Sequence, residues 1–263
     1  MTNGLWRSIN IIQTPTPNGG TVAGIHSIPI EPSPSLQHPR QNSALGVPFI
    51  SIDRPCYGGT SSFLPIPKDF DYAIETDTWL HRYILPTLWA EFGVPSQCNC
   101  IVLLSHSLGA IGSTVVGAMH AQDQEGNKST AYPLGGIIIS GLGGQLIPSM
   151  VENPLPEPNA PPDHAVFPVA FKDALMFVPA WDRSSGYPSL HGGEWAAHIV
   201  APVKFTLVDC FWVGSEEHVR SCVEAFKKRS QVDGSLVRGA PHCLELSVWS
   251  QGWCAASFSL QAV

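Results

Sequence analysis

The sequence predicts an α/β fold built on a mainly parallel, doubly wound sheet with helices on both faces. Two observations carry this prediction. Short apolar runs that suit buried strands alternate with segments whose apolar residues recur at helical spacing. The chain of 263 residues is long enough for a large core, and we expect a single domain over residues 1–263.

Three strands are predicted in the first part of the chain. Residues 6–12 and 21–30 have strand composition and flank a Pro-Asn-Gly-Gly turn at residues 17–20, which favours a hairpin. Residues 47–52 form a short apolar run without helical periodicity, which is typical of a buried strand.

The rest of the chain alternates helices with strands. Apolar spacing predicts a helix over residues 71–92, which Pro86 is expected to kink. Further strands are predicted at residues 101–104, 134–139, 203–208 and 235–238. Further helices are predicted at residues 110–119, 215–228 and 248–260, the second of them starting after a good N-cap, Ser215.

Composition and charge exclude several classes of function. The formal net charge of −7 argues against nucleic acid or an anionic membrane as a partner. The seven cysteines form no Cys-x-x-Cys pair, so we expect reduced thiols in a cytoplasmic protein. Residues 1–13 do not resemble a secretory signal, and no window suits a membrane span. Histidine spacing suggests no metal site, and no cofactor is expected.

The most informative stretch is residues 105–109, which read Ser-His-Ser-Leu-Gly. A predicted strand precedes it and a predicted helix follows, which is the context of a nucleophile elbow centred on Ser107. Ser105 and Gly109 are small, so the backbone is able to fold back on itself. The alternative is a plain small-residue turn between a buried strand and a helix.

This stretch resembles the elbow of the α/β-hydrolase family, in which glycine usually occupies the position of Ser105. A second segment, residues 51–61, resembles the Asp-x-x-Gly-x-Gly-x-Ser segment of that family, with Cys56 where glycine is usual. There we expect Asp53 and Arg54 to tie the loop. The resemblance implies an α/β-hydrolase-type sheet and makes Ser107 the expected nucleophile.

The family order of catalytic residues is serine, acid, histidine. His242 follows the last predicted strand, at the family's position for the base, although a turn histidine is the alternative. Asp209 directly follows the predicted strand over residues 203–208 and is the expected acid. Glu216 and Glu217 are better explained as first-turn helix charges.

An insertion at about residues 145–200 breaks the alternation of strands and helices. Family members carry a cap at this place, and we expect one here, the alternative being a long surface loop. Phe171, Phe177 and Trp181 are expected to contact an apolar substrate there, together with His106 beside the nucleophile.

One part of the family pattern is missing from the sequence. The family has a strand before the one at residues 47–52, and the loop after it supplies one backbone N–H of the oxyanion hole. The other N–H comes from Leu108. Residues 31–46 contain three prolines and few apolar residues, which does not suit a central strand. A gene sequence shortened in error, a degenerate relative that binds without turnover, and a replacement donor all remain open.

The sequence therefore predicts a serine hydrolase that acts on an ester, thioester or lactone of an apolar small molecule. Fungal natural-product hydrolases of secondary metabolism are similar, which suggests that substrate class by analogy. The alternative is a non-hydrolytic member of the fold: a binding protein, a cyclase, a lyase or a degenerate pseudoenzyme. The sequence gives no indication of the oligomeric state.

Overall fold

In a computed structural model of the chain, the described residues are 10–27, 49–55, 58–62, 72–107, 109–126, 129–141, 192–208, 215–228, 231–244, 247–249 and 252–253. Residues 31–46 and most of the predicted cap lie outside them. The chain divides into two compact units, one of residues 1–65 and 82–99 and the other of residues 66–81 and 100–263.

The first unit contains a three-stranded antiparallel sheet. Strands β1 (Asn10–Pro15), β2 (Thr21–Ser27) and β3 (Phe49–Ile52) are adjacent in that order. The predicted hairpin is confirmed, but β1 extends three residues beyond its predicted end at residue 12. The reason is that pairing continues down to the turn, where Pro15 lies opposite Thr21.

The loop after β3 is held together by Asp53 and Thr60. The Asp53 carboxylate accepts a hydrogen bond from the N–H of Gly59 at 2.9 Å. The Thr60 hydroxyl donates to the Asp53 carbonyl at 2.8 Å and accepts from the N–H of Ala23 at 2.9 Å. Asp53 therefore has the structural role that the sequence predicts, tying this loop to β2.

The predicted long helix is present, but it is not uniform. Helix α1 (Tyr72–Trp79) continues through a π-helical turn at Leu80–Ile84 into α2 (Leu85–Leu88) and a second π-helical turn at Trp89–Gly93. Pro86 has no N–H to donate, and it lies at the start of α2 between the two wide turns.

The second unit contains a four-stranded parallel sheet. Its strands are β4 (Ile101–His106), β5 (Leu134–Ser140), β6 (Val203–Val208) and β7 (Val232–Val237), adjacent in that order. The predicted parallel sheet is thus confirmed, and the bounds of β6 are those predicted. All residues of β6 are buried, including Lys204 and Thr206, whose polar atoms contact Asp233 and Ser235 of β7.

Strand β7 begins three residues earlier than predicted. Asp233 and Gly234 disfavour a strand, yet both pair with β6. Asp233 lies opposite Lys204 and forms an ion pair with its ammonium group, which stabilises the charged residue at this position.

Four of the described helices belong to this unit: α1, given above, α3 (Gly109–Glu125), α4 (Gly192–His198) and α5 (Glu216–Ala225). Apolar residues of α3, α4 and the strands form one core cluster that includes Ala118, Ile137 and Ile199. Ser215 caps α5, as predicted, by accepting a hydrogen bond from the N–H of His218.

The end of the chain is described only in part. The backbone N–H of Trp253 donates to the carbonyl of Trp249 at 3.0 Å, which is one turn within the helix predicted at residues 248–260. In the parts of the chain that the structure describes, no helix has the length and apolar character that crossing a membrane requires.

Candidate active site

The candidate site lies at the carboxyl edge of the parallel sheet. Ser107 follows β4, Gly141 follows β5, and His242 comes five residues after the end of β7. Because the four strands are parallel, their carboxyl ends meet at one edge, which is where open α/β sheets bind ligands.

Ser107 occupies a sharp turn between β4 and α3. Its φ angle is +52°, in the left-handed region that residues other than glycine seldom adopt. Its N–H donates to the Ser140 carbonyl at 2.8 Å, and its carbonyl accepts from the N–H of Ala110 at 2.9 Å. The sheet edge and the helix start therefore hold the strained residue from both sides.

The two small residues that flank the turn, Ser105 and Gly109, lie close together. A Cβ atom built on Gly109 would lie 3.5 Å from the Cβ atom of Ser105, at ordinary contact distance. The Ser105 hydroxyl forms hydrogen bonds with the Ser113 hydroxyl at 2.8 Å and the Ile138 carbonyl at 3.2 Å. Serine in place of the usual glycine is thus accommodated, and it links β4 to α3 and β5.

His242 and Ser107 are in direct contact. The Nε2 atom of His242 lies 2.9 Å from the Oγ atom of Ser107, across 135 residues of sequence. When the serine hydroxyl donates to Nε2, a neutral imidazole carries its proton on Nδ1, and that atom is buried. Ala240 and Leu244 on either side of His242 are fully buried and anchor the segment in a core cluster with Ile138.

His106 lies against His242 as well as beside Ser107. Its Nδ1 atom is 3.0 Å from the Ser140 hydroxyl, and its ring centroid is 4.7 Å from that of His242. The sequence places His106 near the site, but it does not single out Ser140 or Gly141. Their position at the end of a parallel strand is the signal that points to them.

Several predicted site residues lie outside the described part of the chain: Leu108, Phe171, Phe177, Trp181 and Asp209. The neighbour of Asp209, Val208, ends the buried strand β6 at the same sheet edge. Two competing carboxylates are engaged elsewhere, because Glu216 pairs with Arg238 and Asp233 pairs with Lys204.

A second polar cluster, which sequence analysis did not detect, is buried in the same unit. The Nδ1 atom of His81 lies 2.7 Å from the Tyr132 hydroxyl, and its Nε2 atom lies 3.1 Å from an Asp123 carboxylate oxygen. The Nε2 atom of His120 lies 3.0 Å from the Tyr132 carbonyl. Partners 12 to 51 residues apart leave no local sequence signal. Across the described ranges, no group of three or more potential ligands is arranged to hold a metal ion.

Comparisons with solved structures agree with this architecture. An esterase of Pyrococcus furiosus matches with 13% identity and a TM-score of 0.55, over 97% of this chain and 92% of that one. Carboxyl esterase 2 of Tuber melanosporum matches with 12% identity and a TM-score of 0.55, over 97% and 87%. The thioesterase domain from the curacin biosynthetic pathway matches with 13% identity and a TM-score of 0.52, over 98% and 100%. At these identities the likeness shows the fold alone.

A search of curated protein sequences finds no significant match. The model of one family, described as the alpha/beta hydrolase family, matches residues 29–252, which is most of the chain. Together with the parallel sheet and the strand–turn–helix around Ser107, this match establishes that the chain belongs to the alpha/beta hydrolase family.

Proposed function

We propose that this protein is a serine hydrolase that cleaves an ester, thioester or lactone of an apolar small molecule. The observation that carries the proposal is the 2.9 Å contact between Nε2 of His242 and Oγ of Ser107. A serine hydroxyl becomes an effective nucleophile when a base at hydrogen-bond distance takes its proton. The left-handed backbone of Ser107 is further support, because a nucleophile elbow is a strained turn of this kind.

In the proposed reaction, the Ser107 oxygen bonds to the acyl carbon while its proton moves to His242 Nε2. The carbonyl electron pair moves to the oxygen, which we expect to accept a hydrogen bond from the N–H of Leu108. The N–H of Ser107 itself is engaged with the Ser140 carbonyl. The intermediate then expels the alcohol or thiol, which takes the proton from His242. Water attacks the acyl-enzyme by the same route and restores Ser107.

Asp209 is the proposed acid of the triad. It would accept a hydrogen bond from Nδ1 of His242, hold the reactive tautomer and stabilise the imidazolium ion. Its position directly after β6 supports this role, since β4 and β7 of the same parallel sheet lead to Ser107 and His242. Glu217 provides a control, because its exposed side chain lies in the first turn of α5.

The proposed substrate class follows from the predicted cap and from the similar structures. Phe171, Phe177 and Trp181 in the predicted cap would give the substrate an apolar wall. Two of the similar structures are named esterases and one is a thioesterase domain of a biosynthetic pathway, which is compatible with acyl transfer to water in secondary metabolism. We expect neither a metal ion nor an organic cofactor in this reaction.

The test combines a fluorophosphonate probe with hydrolysis of short p-nitrophenyl esters. We expect the wild-type protein to be labelled at Ser107, and Ser107→Ala to lose both labelling and turnover. Ser221→Ala, which removes a hydroxyl from helix α5, is the matched control and should retain both. Asp209→Asn should lower kcat by about 10⁴-fold, whereas Glu217→Gln should leave it unchanged.

The same measurements also expose the alternative function. A wild-type protein that binds an apolar ester yet is neither labelled nor active would favour a non-hydrolytic member of the family. Turnover that survives in Ser107→Ala would exclude Ser107 as the nucleophile.

A further inference from the structure

The imidazole of His242 is bounded by two groups that the proposed reaction does not use. The ring of His106 lies beside it, with centroids 4.7 Å apart and ring planes inclined by 51°. Gly141 lies at its edge, where a Cβ atom built on the glycine would come within 3.0 Å of Cε1 of His242. The position of the base is therefore restricted from two directions.

Gly141 fits this place because it has no side chain. Its φ angle is +74°, and its N–H donates to the Thr206 carbonyl at 3.1 Å, which fixes its backbone. A Cβ atom here would also lie 2.7 Å from Cε1 of His106. The edges of both imidazoles thus fill the space that a side chain at position 141 would need.

His106 is fixed in turn by strand pairing. It is the last residue of β4 and lies opposite Ser140, the last residue of β5. The Ser140 side chain is fully buried, and its hydroxyl lies 3.0 Å from Nδ1 of His106. The carbonyl of Ser140 also accepts the hydrogen bond from the N–H of Ser107. Ser140 therefore holds both Ser107, through its carbonyl, and His106, through its hydroxyl.

We propose that His106 and Gly141 are positioning residues, which hold the imidazole of His242 where its Nε2 atom reaches Ser107. The inference rests on the proposed function and adds a role to residues outside the triad. The ring of His106 lies beside the imidazole of His242, and the absence of a side chain at Gly141 leaves room for the edge of that imidazole. A misplacement of a catalytic group by about 1 Å costs up to roughly 10²-fold in rate, so residues that fix the position of His242 have a measurable effect on kcat.

Two substitutions of His106 separate its ring from its hydrogen bond. His106→Phe keeps a ring against His242 and loses the contact with Ser140. His106→Asn keeps an amide near the Ser140 hydroxyl and loses the ring. We expect His106→Asn to lower kcat by about tenfold or more with KM unchanged, and His106→Phe to keep kcat within about threefold of wild type.

The opposite results overturn the proposal. If His106→Asn keeps the wild-type kcat, or if both variants lower it equally, the ring does not position the base. If KM rises while kcat stays constant, His106 is a substrate contact instead.

Gly141→Ala tests the positioning role of Gly141, and Gly19→Ala is its matched control. Both glycines have a positive φ angle, +74° and +82°, but nothing lies within 4 Å of a Cβ atom on Gly19. The backbone strain is therefore similar, and only Gly141→Ala displaces the imidazoles. We expect Gly141→Ala alone to reduce kcat, by about tenfold or more. Equal kcat in the two variants would refute the role of Gly141, and if Gly141→Ala does not fold, the His106 pair decides.

Imidazole ¹⁵N spectra of His242 make the test independent of turnover. We expect one tautomer in the wild type and in His106→Phe, and averaged nitrogen shifts in His106→Asn. A wild-type protein that is neither labelled nor active fails the proposed function, yet these spectra still decide whether His106 orders the ring. Identical spectra in all three proteins would overturn the positioning role.

Discussion

Two pairs of neighbouring histidines in the second unit differ in what surrounds them. The rings of His106 and His242 are 4.7 Å apart at the carboxyl edge of the sheet, and both are half-buried. The rings of His81 and His120 are 6.4 Å apart, and both are almost fully buried. In the buried pair, both nitrogens of His81 contact fixed groups, the Tyr132 hydroxyl and the Asp123 carboxylate.

The difference shows what makes a histidine available for chemistry. Both ring nitrogens of His81 contact groups that take no part in the proposed reaction, so His81 contributes to the stability of the fold. His242 is half-buried at the carboxyl edge of the sheet, and its Nε2 atom contacts a serine hydroxyl in a strained turn. Burial and partner type, rather than residue type, separate the two pairs.

The largest expected effect comes from His242→Gln. The glutamine amide is not a base, so we expect kcat for ester hydrolysis to fall by about 10⁶-fold. The melting temperature should change little, because the side chain is only half-buried. Steady-state kinetics and thermal unfolding on the same preparation measure both. A variant that is fully active would remove His242 from the mechanism.

The same substitution at His81 should have the reverse effect. Glutamine is able to reach either Tyr132 or Asp123 but not both, and we expect unfolding to become easier by about 2–3 kcal/mol. Activity per folded molecule should be retained. Urea unfolding followed by tryptophan fluorescence provides the measurement. Unchanged stability together with reduced activity would mean that the two pairs are not functionally distinct.

A smaller effect is expected at His120. His120→Phe keeps the ring beside Tyr132, at a centroid distance of 5.2 Å in the native pair, but loses the N–H that serves the Tyr132 carbonyl. We expect a loss of about 1 kcal/mol, typical of one hydrogen bond. If urea unfolding shows a loss as large as that of His81→Gln, the cluster acts as a single unit.

The smallest effect is expected at an exposed ion pair between Glu125, on the same helix as His120, and Lys228, which follows α5. Lys228 donates to Glu125 at 2.8 Å, and this hydrogen bond holds the pKa of Glu125 below its ordinary value. The stabilisation that this pair gives to the folded protein is therefore present at neutral pH, and it is lost as the pH falls through the lowered pKa of Glu125. Because the pair is exposed, Glu125→Gln should leave the melting temperature at pH 7 within error of wild type, by differential scanning calorimetry. A clear shift would show that exposure does not control these contributions.

Much of the parallel sheet was predictable from sequence because apolar residues predominate in β4, β5 and β6. Residues 203–208 are buried along their whole length, and the apolar residues Val203, Phe205, Leu207 and Val208 are enough to predict β6. Strand β7 was predicted too short, because Asp233 and Gly234 disfavour a strand and the charge of Asp233 is stabilised by Lys204 on the neighbouring strand. Local composition carries no information on such a cross-strand partner.

The candidate site likewise has one part that local sequence patterns predict and another part that they do not. The elbow around Ser107 is a local pattern, and the place of His242 follows from its position after the last strand. The arrangement of His106 and Gly141 around the imidazole of His242 depends on three chain segments that meet at one edge of the sheet. The cluster of His81, Asp123 and Tyr132 depends on contacts over 42 and 51 residues, which no local pattern predicts.

The left-handed backbone of Ser107 has an evolutionary consequence. Glycine adopts this conformation without steric penalty, whereas a residue with a side chain is disfavoured by about 1–2 kcal/mol. Drift from serine to glycine at position 107 would therefore ease folding, and only selection for the hydroxyl opposes it. Among relatives of this chain, lineages that abandon covalent chemistry should accumulate glycine at this position first.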